Sequence, residues 1–171
     1  MKNSRAIAAT QLANVIAKGQ AFDGNVLNKG LTDSRDLGLV KEICFGTLRH
    51  YYLLAALVNP LLKKPFAKKD TDIYALLLAG LYQMRFMQTP KHAAINTSVN
   101  ACGSLGKTWA KGLINAVLRN LVRQNKHLPD HFDDIPQAAR HSLPEWLFTQ
   151  LKQDWPQHFQ QIIDYSNSAP P

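Results

Sequence analysis

The chain has 171 residues, 46% of them hydrophobic, enough for one sizeable core and a small appendage, and it carries a formal charge of +8. So strong a positive balance points to a polyanionic partner, nucleic acid or an anionic surface. Its two cysteines, Cys44 and Cys102, each sit inside an apolar helical pattern; that argues against a disulfide scaffold and for two small core hydrophobes in a reducing compartment. The opening MKNSRAIAAT has no apolar run of signal-peptide length. The longest uncharged apolar block, Ile73 to Met84, is about half a bilayer span and ends at Arg85, so a cytoplasmic protein with no membrane contact is expected.

Runs of alternating β-branched residues are absent, whereas apolar residues recur at helical spacing throughout, and the expected class is all-α. A first helix is expected from Ser4 as N-cap, turning Ile7, Ala8, Leu12, Val15 and Ile16 inward until Gly19 stops it. AFDGNVLNKG is short and punctuated. In TDSRDLGLVKEICFGTLRHYYLLAALVNPLL, Leu39, Val40, Ile43, Leu48, Leu53, Leu54, Leu57 and Val58 recur on common faces, with a bend at Gly46 and a break near His50 both open; Pro60 and Pro65 close the region. DTDIYALLLAGLYQMRFMQ is apolar nearly all round, which predicts a helix wrapped on every side at the centre of a bundle. Thr89 and Pro90 predict a cap and a first-turn proline for a helix from Lys91 to Ser104, and Gly103 and Gly106 separate it from the next.

That next segment, KTWAKGLINAVLRNLVRQNK (Lys107 to Lys126), predicts an amphipathic helix. Leu113, Ile114, Val117 and Leu121 share one face, with Leu118 and Val122 at its edge. Lys107, Lys111, Asn115, Arg119 and Arg123 step by four around the other side as a spiralling basic strip. Residues 73–129 hold seven Lys/Arg and no Asp/Glu, against eleven and six in 1–72 and two and six in 130–171. Exposed helices normally mix signs to gain i,i+4 pairs, so the strip is expected to stand without acidic neighbours and to contact phosphates. The change of sign near Pro129, with HLPDHFDDIPQ as linker, divides the chain into 1–129 and 130–171. In the second part Ser142 and Glu145 read as a capping box with Pro144 in the first turn; Trp155-Pro156 interrupts the pattern, which resumes through Ile162 and Ile163. This hairpin has nothing evident to pack on and reads as the start of a further unit.

Other features have plainer readings. Lys63, Lys64, Lys68 and Lys69 flank Pro65 in what reads as a solubilising turn. His127 and His131 stand four apart, but Pro129 prevents a regular helix and no Cys pair completes a tetrahedral set, so no metal is expected. Tyr51, Tyr52, Tyr82, Phe86 and Trp109 could stack on bases, although their helical spacing puts most of them in the core. No Gly-rich loop follows a strand, and no cofactor site is expected in these residues.

LLLAGLYQMRFMQTPKHAAINTSVNA followed by KGLINAVLRNLVRQ closely resembles the NusB-like amino-terminal domain of bacterial ribosomal RNA cytosine-C5 methyltransferases of the RsmB type. DSRDLGLVKEICFGTLRHYYLL is similar to an earlier signature of that family, and LPEWLFTQLKQDW through SNSAPP to the first helices of its methyltransferase half. The resemblance implies a bundle of about seven helices followed by a short helical linker. It implies an RNA-binding part that positions small-subunit ribosomal RNA for a later Rossmann-like domain, which takes S-adenosylmethionine and supplies two cysteines that Cys44 and Cys102 do not match. These 171 residues alone would then be inactive, with ribosomal RNA and the protein's own methyltransferase domain as partners. Lys2 and Arg5 resemble the basic RNA-contacting start of NusB. The expected RNA contacts are therefore Lys2, Arg5, Lys91, Lys107, Lys111, Asn115, Arg119 and Arg123; Asn115 reads equally as a residue joining helices, and His92 as a hydrogen-bonding residue at a helix start. Thr97 stands where many relatives carry Glu, and Arg119 where NusB has an acid, which makes this surface the more cationic. A free-standing antitermination factor, binding leader RNA and a ribosomal protein, is disfavoured by about 45 residues beyond the basic helix. A bundle whose basic face docks on an acidic protein is the other rival.

Overall fold

The computed structural model describes residues 3–28, 31, 33–132 and 134–168. Helix α1 (Ser4–Lys18) is capped one residue earlier than expected, because the Asn3 side-chain oxygen accepts the amides of Arg5 and Ala6 at 3.0 and 3.1 Å. Asn caps as well as Ser, and Ser4 instead turns its hydroxyl across to Asp36, donating at 2.7 Å. Gly19 ends the helix with φ 63, a left-handed C-cap that a side chain would strain.

After the short α2 (Gly24–Asn28) come α3 (Ser34–Arg49) and α4 (Tyr51–Val58). The open choice between bend and break resolves at His50, which separates the two helices. Gly46 has a different job. A Cβ there would lie 1.9 Å from Cζ of Tyr82, so the missing side chain is what lets α3 cross the next long helix over that ring. The Tyr82 hydroxyl then donates to Glu42 at 2.6 Å.

Helix α5 (Thr71–Arg85) is the predicted centre: Ile73 and every residue from Ala75 to Arg85 are buried, and α1, α3, α4, α6 and α7 all pack on it. Helix α6 (Lys91–Ser104) has its expected limits but not its expected cap. The Thr89 amide donates back to the Gln83 carbonyl at 3.0 Å, and Pro90, with extended ψ, stands at the N-cap with no side-chain bond to the first turn. A 3-10 turn (Thr108–Ala110) precedes α7 (Lys111–Arg123), so that helix begins later and ends sooner than the 107–126 pattern suggested. It buries Ile114, Val117, Leu118 and Leu121. No strand occurs among the described residues, in accord with the all-α expectation.

Helices α8 (Gln137–Arg140), α9 (Glu145–Asp154) and α10 (Phe159–Asn167) enclose a second small core of Ala138, Phe148 and Ile163. The hairpin does find support. α8 packs on α4, and Ile135, 5% exposed, joins the main core. The expected capping box does not form, because Ser142 adopts φ 58 and its hydroxyl faces His50 Nδ1 at 3.3 Å rather than the first turn of α9. The tertiary partner wins over the local cap.

Two consequences can be measured. Burial pushes the Cys44 thiol up to about 12 and also raises Cys102, so neither forms thiolate at neutral pH. Native protein will not react with an aromatic disulfide reagent, and two thiols will titrate once denaturant is added. Burial, followed by the charges of Arg49 and Arg85, pulls His50 from 6.5 down to about 4; its ring is stacked 4.0 Å from that of Phe86. A depressed folded pKa contributes stability that is present above 6.5 and is lost as pH falls toward 4. Denaturant unfolding at pH 7 and pH 4.5 should differ by on the order of 2 kcal/mol, and His50→Gln should make that difference smaller.

Candidate nucleic-acid interface

The outward face of α7 carries Lys111, Arg119 and Arg123, all exposed, with Asn115 half-buried between them. The two arginines do not hang free. Asn115 Oδ1 accepts from Arg119 Nε at 2.9 Å, and Asn120 Oδ1 accepts from Arg123 Nη2 at 2.9 Å and from Gln124 Nε2 at 3.2 Å. An amide oxygen orients a guanidinium without cancelling its charge, which a carboxylate in the same place would do. Asn115 is half-buried, and its side-chain oxygen accepts from Arg119 one turn along its own helix.

Helices α6 and α7 run antiparallel, which brings Lys91 and His92, at the start of α6, beside the end of α7. Together with Arg119, Arg123, Ile95 and Val122 they line a shallow depression of about 340 Å³. At the other end of the pair, the Lys111 ammonium lies over Gly103, the position of a Cβ there being 4.0 Å from Nζ. Lys91, Lys111, Arg119 and Arg123 thus share one surface made by two helices. None has a carboxylate within salt-bridge distance among the described residues.

Lys107, expected in the same strip, is instead paired with two carboxylates. Its ammonium sits 2.6 Å from Asp72 and 3.2 Å from Asp70, and donates to the Lys69 carbonyl. Burial pulls its pKa down, but the hydrogen bonds and charges of Asp72 and Asp70 outweigh that and hold it above the ordinary lysine value. The carboxylate-free stretch was read along the chain, and the partners come from just outside it, some 35 residues away. Lys107 therefore ties the turn before α7 to the start of α5 and is not part of an unpaired strip.

The amino-terminal residues also differ from the strip. Lys2 lies outside the described residues. Arg5 is half-buried on α1, where its Nε donates to Gln83 Oε1 at 3.1 Å; burial lowers its pKa, with Asp36 acting the other way. Among the aromatic candidates Tyr82 is 4% exposed, while Trp109 and Tyr52 are 59% and 42% exposed. Trp109 stands on the opposite flank of α7, facing Lys63, Lys64, Pro65 and Phe66 across an apolar groove of about 550 Å³. The basic loop read as a solubilising turn is thus one wall of a groove.

Two buried residues had no signal in the sequence. Arg85, 4% exposed, donates through Nη1 to the carbonyls of Lys126 and Leu128 and through Nη2 to that of Pro129 at 2.7 Å, pinning the chain that leaves α7. His127, 6% exposed, has no hydrogen-bond partner on either ring nitrogen among the described residues. No group of three or more metal-binding side chains is found among the described residues, and none of their helices is long and apolar enough to cross a membrane.

A helical bundle wrapped around one apolar helix, with two arginines hydrogen-bonded to amides along an outer face, defines a compact all-α domain with an exposed cationic surface. The chain belongs to the NusB family, whose pattern matches residues 2–123. It is 40% identical over 172 residues to ribosomal RNA small subunit methyltransferase B of Pseudomonas syringae pv. tomato and 37% identical over 174 residues to the protein of that name from Erwinia tasmaniensis. It is 32% identical over 169 residues to probable ribosomal RNA small subunit methyltransferase B of Coxiella burnetii. These alignments cover 99 to 100% of this chain but only 38 to 40% of the relatives, so the chain spans about two-fifths of the length of the curated proteins it matches.

Proposed function

We propose that this chain is the RNA-holding amino-terminal part of an S-adenosylmethionine-dependent ribosomal RNA cytosine-C5 methyltransferase, with residues 1–129 as the RNA-binding unit and 130–171 leading toward a catalytic domain. The observation that carries the reading is the pair Asn115–Arg119 and Asn120–Arg123, which orients two guanidiniums beside Lys91 with no carboxylate of the described residues within salt-bridge distance. Phosphates are the ligands such a surface fits, and the contact would be salt-dependent and largely indifferent to sequence. Lys91, Lys111, Arg119 and Arg123 make the contacts, Asn115 orients one of them, and Lys2 and Arg5 add to them. The names and greater length of the relatives support the wider assignment. S-adenosylmethionine would bind to the catalytic domain, and no residue of this chain is given a bond-making role. Holding the RNA raises the concentration of the target base around that domain.

Fluorescence titration of a small-subunit ribosomal RNA fragment at low salt tests this directly. Weak binding that fades with added salt, with no methyl transfer by the chain alone, is the expected result. No detectable binding at low salt would overturn the RNA reading in favour of docking on an acidic protein surface.

A further inference from the structure

The depression beside Arg119 and Arg123 continues past Lys91 and His92 into a larger cleft of about 620 Å³, lined by Thr89, Pro90, Lys91, His92 and His127 and floored by Arg85. Two independent features meet there. The first is the start of α6: fourteen residues long, with Pro90 at the cap, no side-chain cap bond and no acidic residue in the first turn, it opens with backbone N–H groups and the positive end of its dipole toward the cleft. The second is His127. Its imidazole is buried to 6% exposure yet neither nitrogen has a partner among the described residues, and the same is true of Nε of Arg85, which also lines the cleft.

Buried polar groups nearly always find partners, and an imidazole with two empty nitrogens is costly in a region that gains nothing else from it. A leucine would fill the same space at less cost, so the histidine is explained by something that enters from the cleft. Burial, and after it the positive charges of Lys91 and Arg85, disfavours protonation of the ring until an anion arrives. Lys91, His92, His127 and Arg85 line the cleft, and no carboxylate is among the lining residues, a composition suited to an oxyanion.

Resting on the RNA reading above, we propose that this cleft seats one phosphate group, held by the opening amides of α6, the Lys91 ammonium and the buried His127 imidazole that lines it, at the head of the Arg119–Arg123 track. The phosphate belongs to an RNA backbone or is free, and the two sources can be told apart.

The test uses amide and imidazole NMR of the whole chain with inorganic phosphate as the probe, at constant pH and ionic strength against chloride. Phosphate should move the Lys91, His92 and Ala93 amides and the His127 ring signals. His127→Leu should abolish those shifts while leaving the melting temperature unchanged or higher, an outcome that a merely structural histidine would reverse. Lys91→Gln should weaken phosphate about tenfold, the worth of one charge-assisted hydrogen bond. If phosphate moves none of these signals in the wild-type chain, or moves them equally in His127→Leu, the seat does not exist, whether or not RNA binds elsewhere. With the seat established, an affinity for an RNA oligonucleotide that also falls about tenfold in His127→Leu identifies its occupant as a backbone phosphate; an unchanged affinity identifies it as free phosphate.

Discussion

Reversing Lys111 and Arg119 together, to Glu, will weaken RNA binding by on the order of a hundredfold at low salt and will flatten the plot of log affinity against log salt concentration by about 1.4 units, the counterion release of two single-stranded phosphate contacts. The magnitude follows from geometry. Both side chains are exposed and have no salt bridge among the described residues, and Asn115 bonds to Arg119, so each contact is made without first breaking such an ion pair. Reversal also places acids where phosphates lay, which adds repulsion to the lost attraction. Lys18 and Lys152 are equally exposed but lie outside the strip; reversing both changes the net charge by the same amount and should leave the slope nearly as it was. Equal slopes for the two double variants would mean that the total charge, rather than the α6–α7 surface, drives binding. Unchanged slopes in the first variant would remove the strip from the interface.

Gly46→Ala will cost roughly 2 to 3 kcal/mol, or a fall of roughly 5 to 10 °C in melting temperature. Alanine favours a helix interior over glycine by about 1 kcal/mol, so the net loss must come from packing. The added methyl would sit 1.9 Å from Tyr82 Cζ and 2.0 Å from its hydroxyl. That ring is 4% exposed, stacks on Phe86 at 5.4 Å and is anchored to Glu42, so it cannot swing aside cheaply. Tyr82→Ala alone costs roughly 3 to 4 kcal/mol, and the double variant should cost no more than about that, because the second change removes the obstacle created by the first. Calorimetry of the four proteins decides it. Simple additivity would show that α3 and α5 do not cross at Gly46.

Much of this architecture can be read from local pattern. The all-round apolar run from Ile73 to Met84 marks α5 as the centre, Gly19 marks the end of α1, the limits of α6 follow from Pro90 and Gly103, and the two faces of α7 follow from 3.6-residue periodicity. These features depend on residues within a turn or two of each other, where side-chain direction is set by the backbone. Family membership is legible for the same reason, since it rests on such runs.

What could not be read locally are the meetings between elements. Lys107 looked like part of a strip until Asp70 and Asp72 came to it across the fold, and Ser142 and Ser4 both left their expected caps for partners 92 and 32 residues away. Lys91 joined Arg119 and Arg123 only because α6 and α7 pack antiparallel, and Arg85 and His127 acquired their surroundings only when the chain beyond α7 closed over the end of α5. Periodicity says which side of a helix turns inward. The angle and register at which two such sides pack decide which charges meet, and those depend on the shape of the whole core rather than on any short stretch of chain.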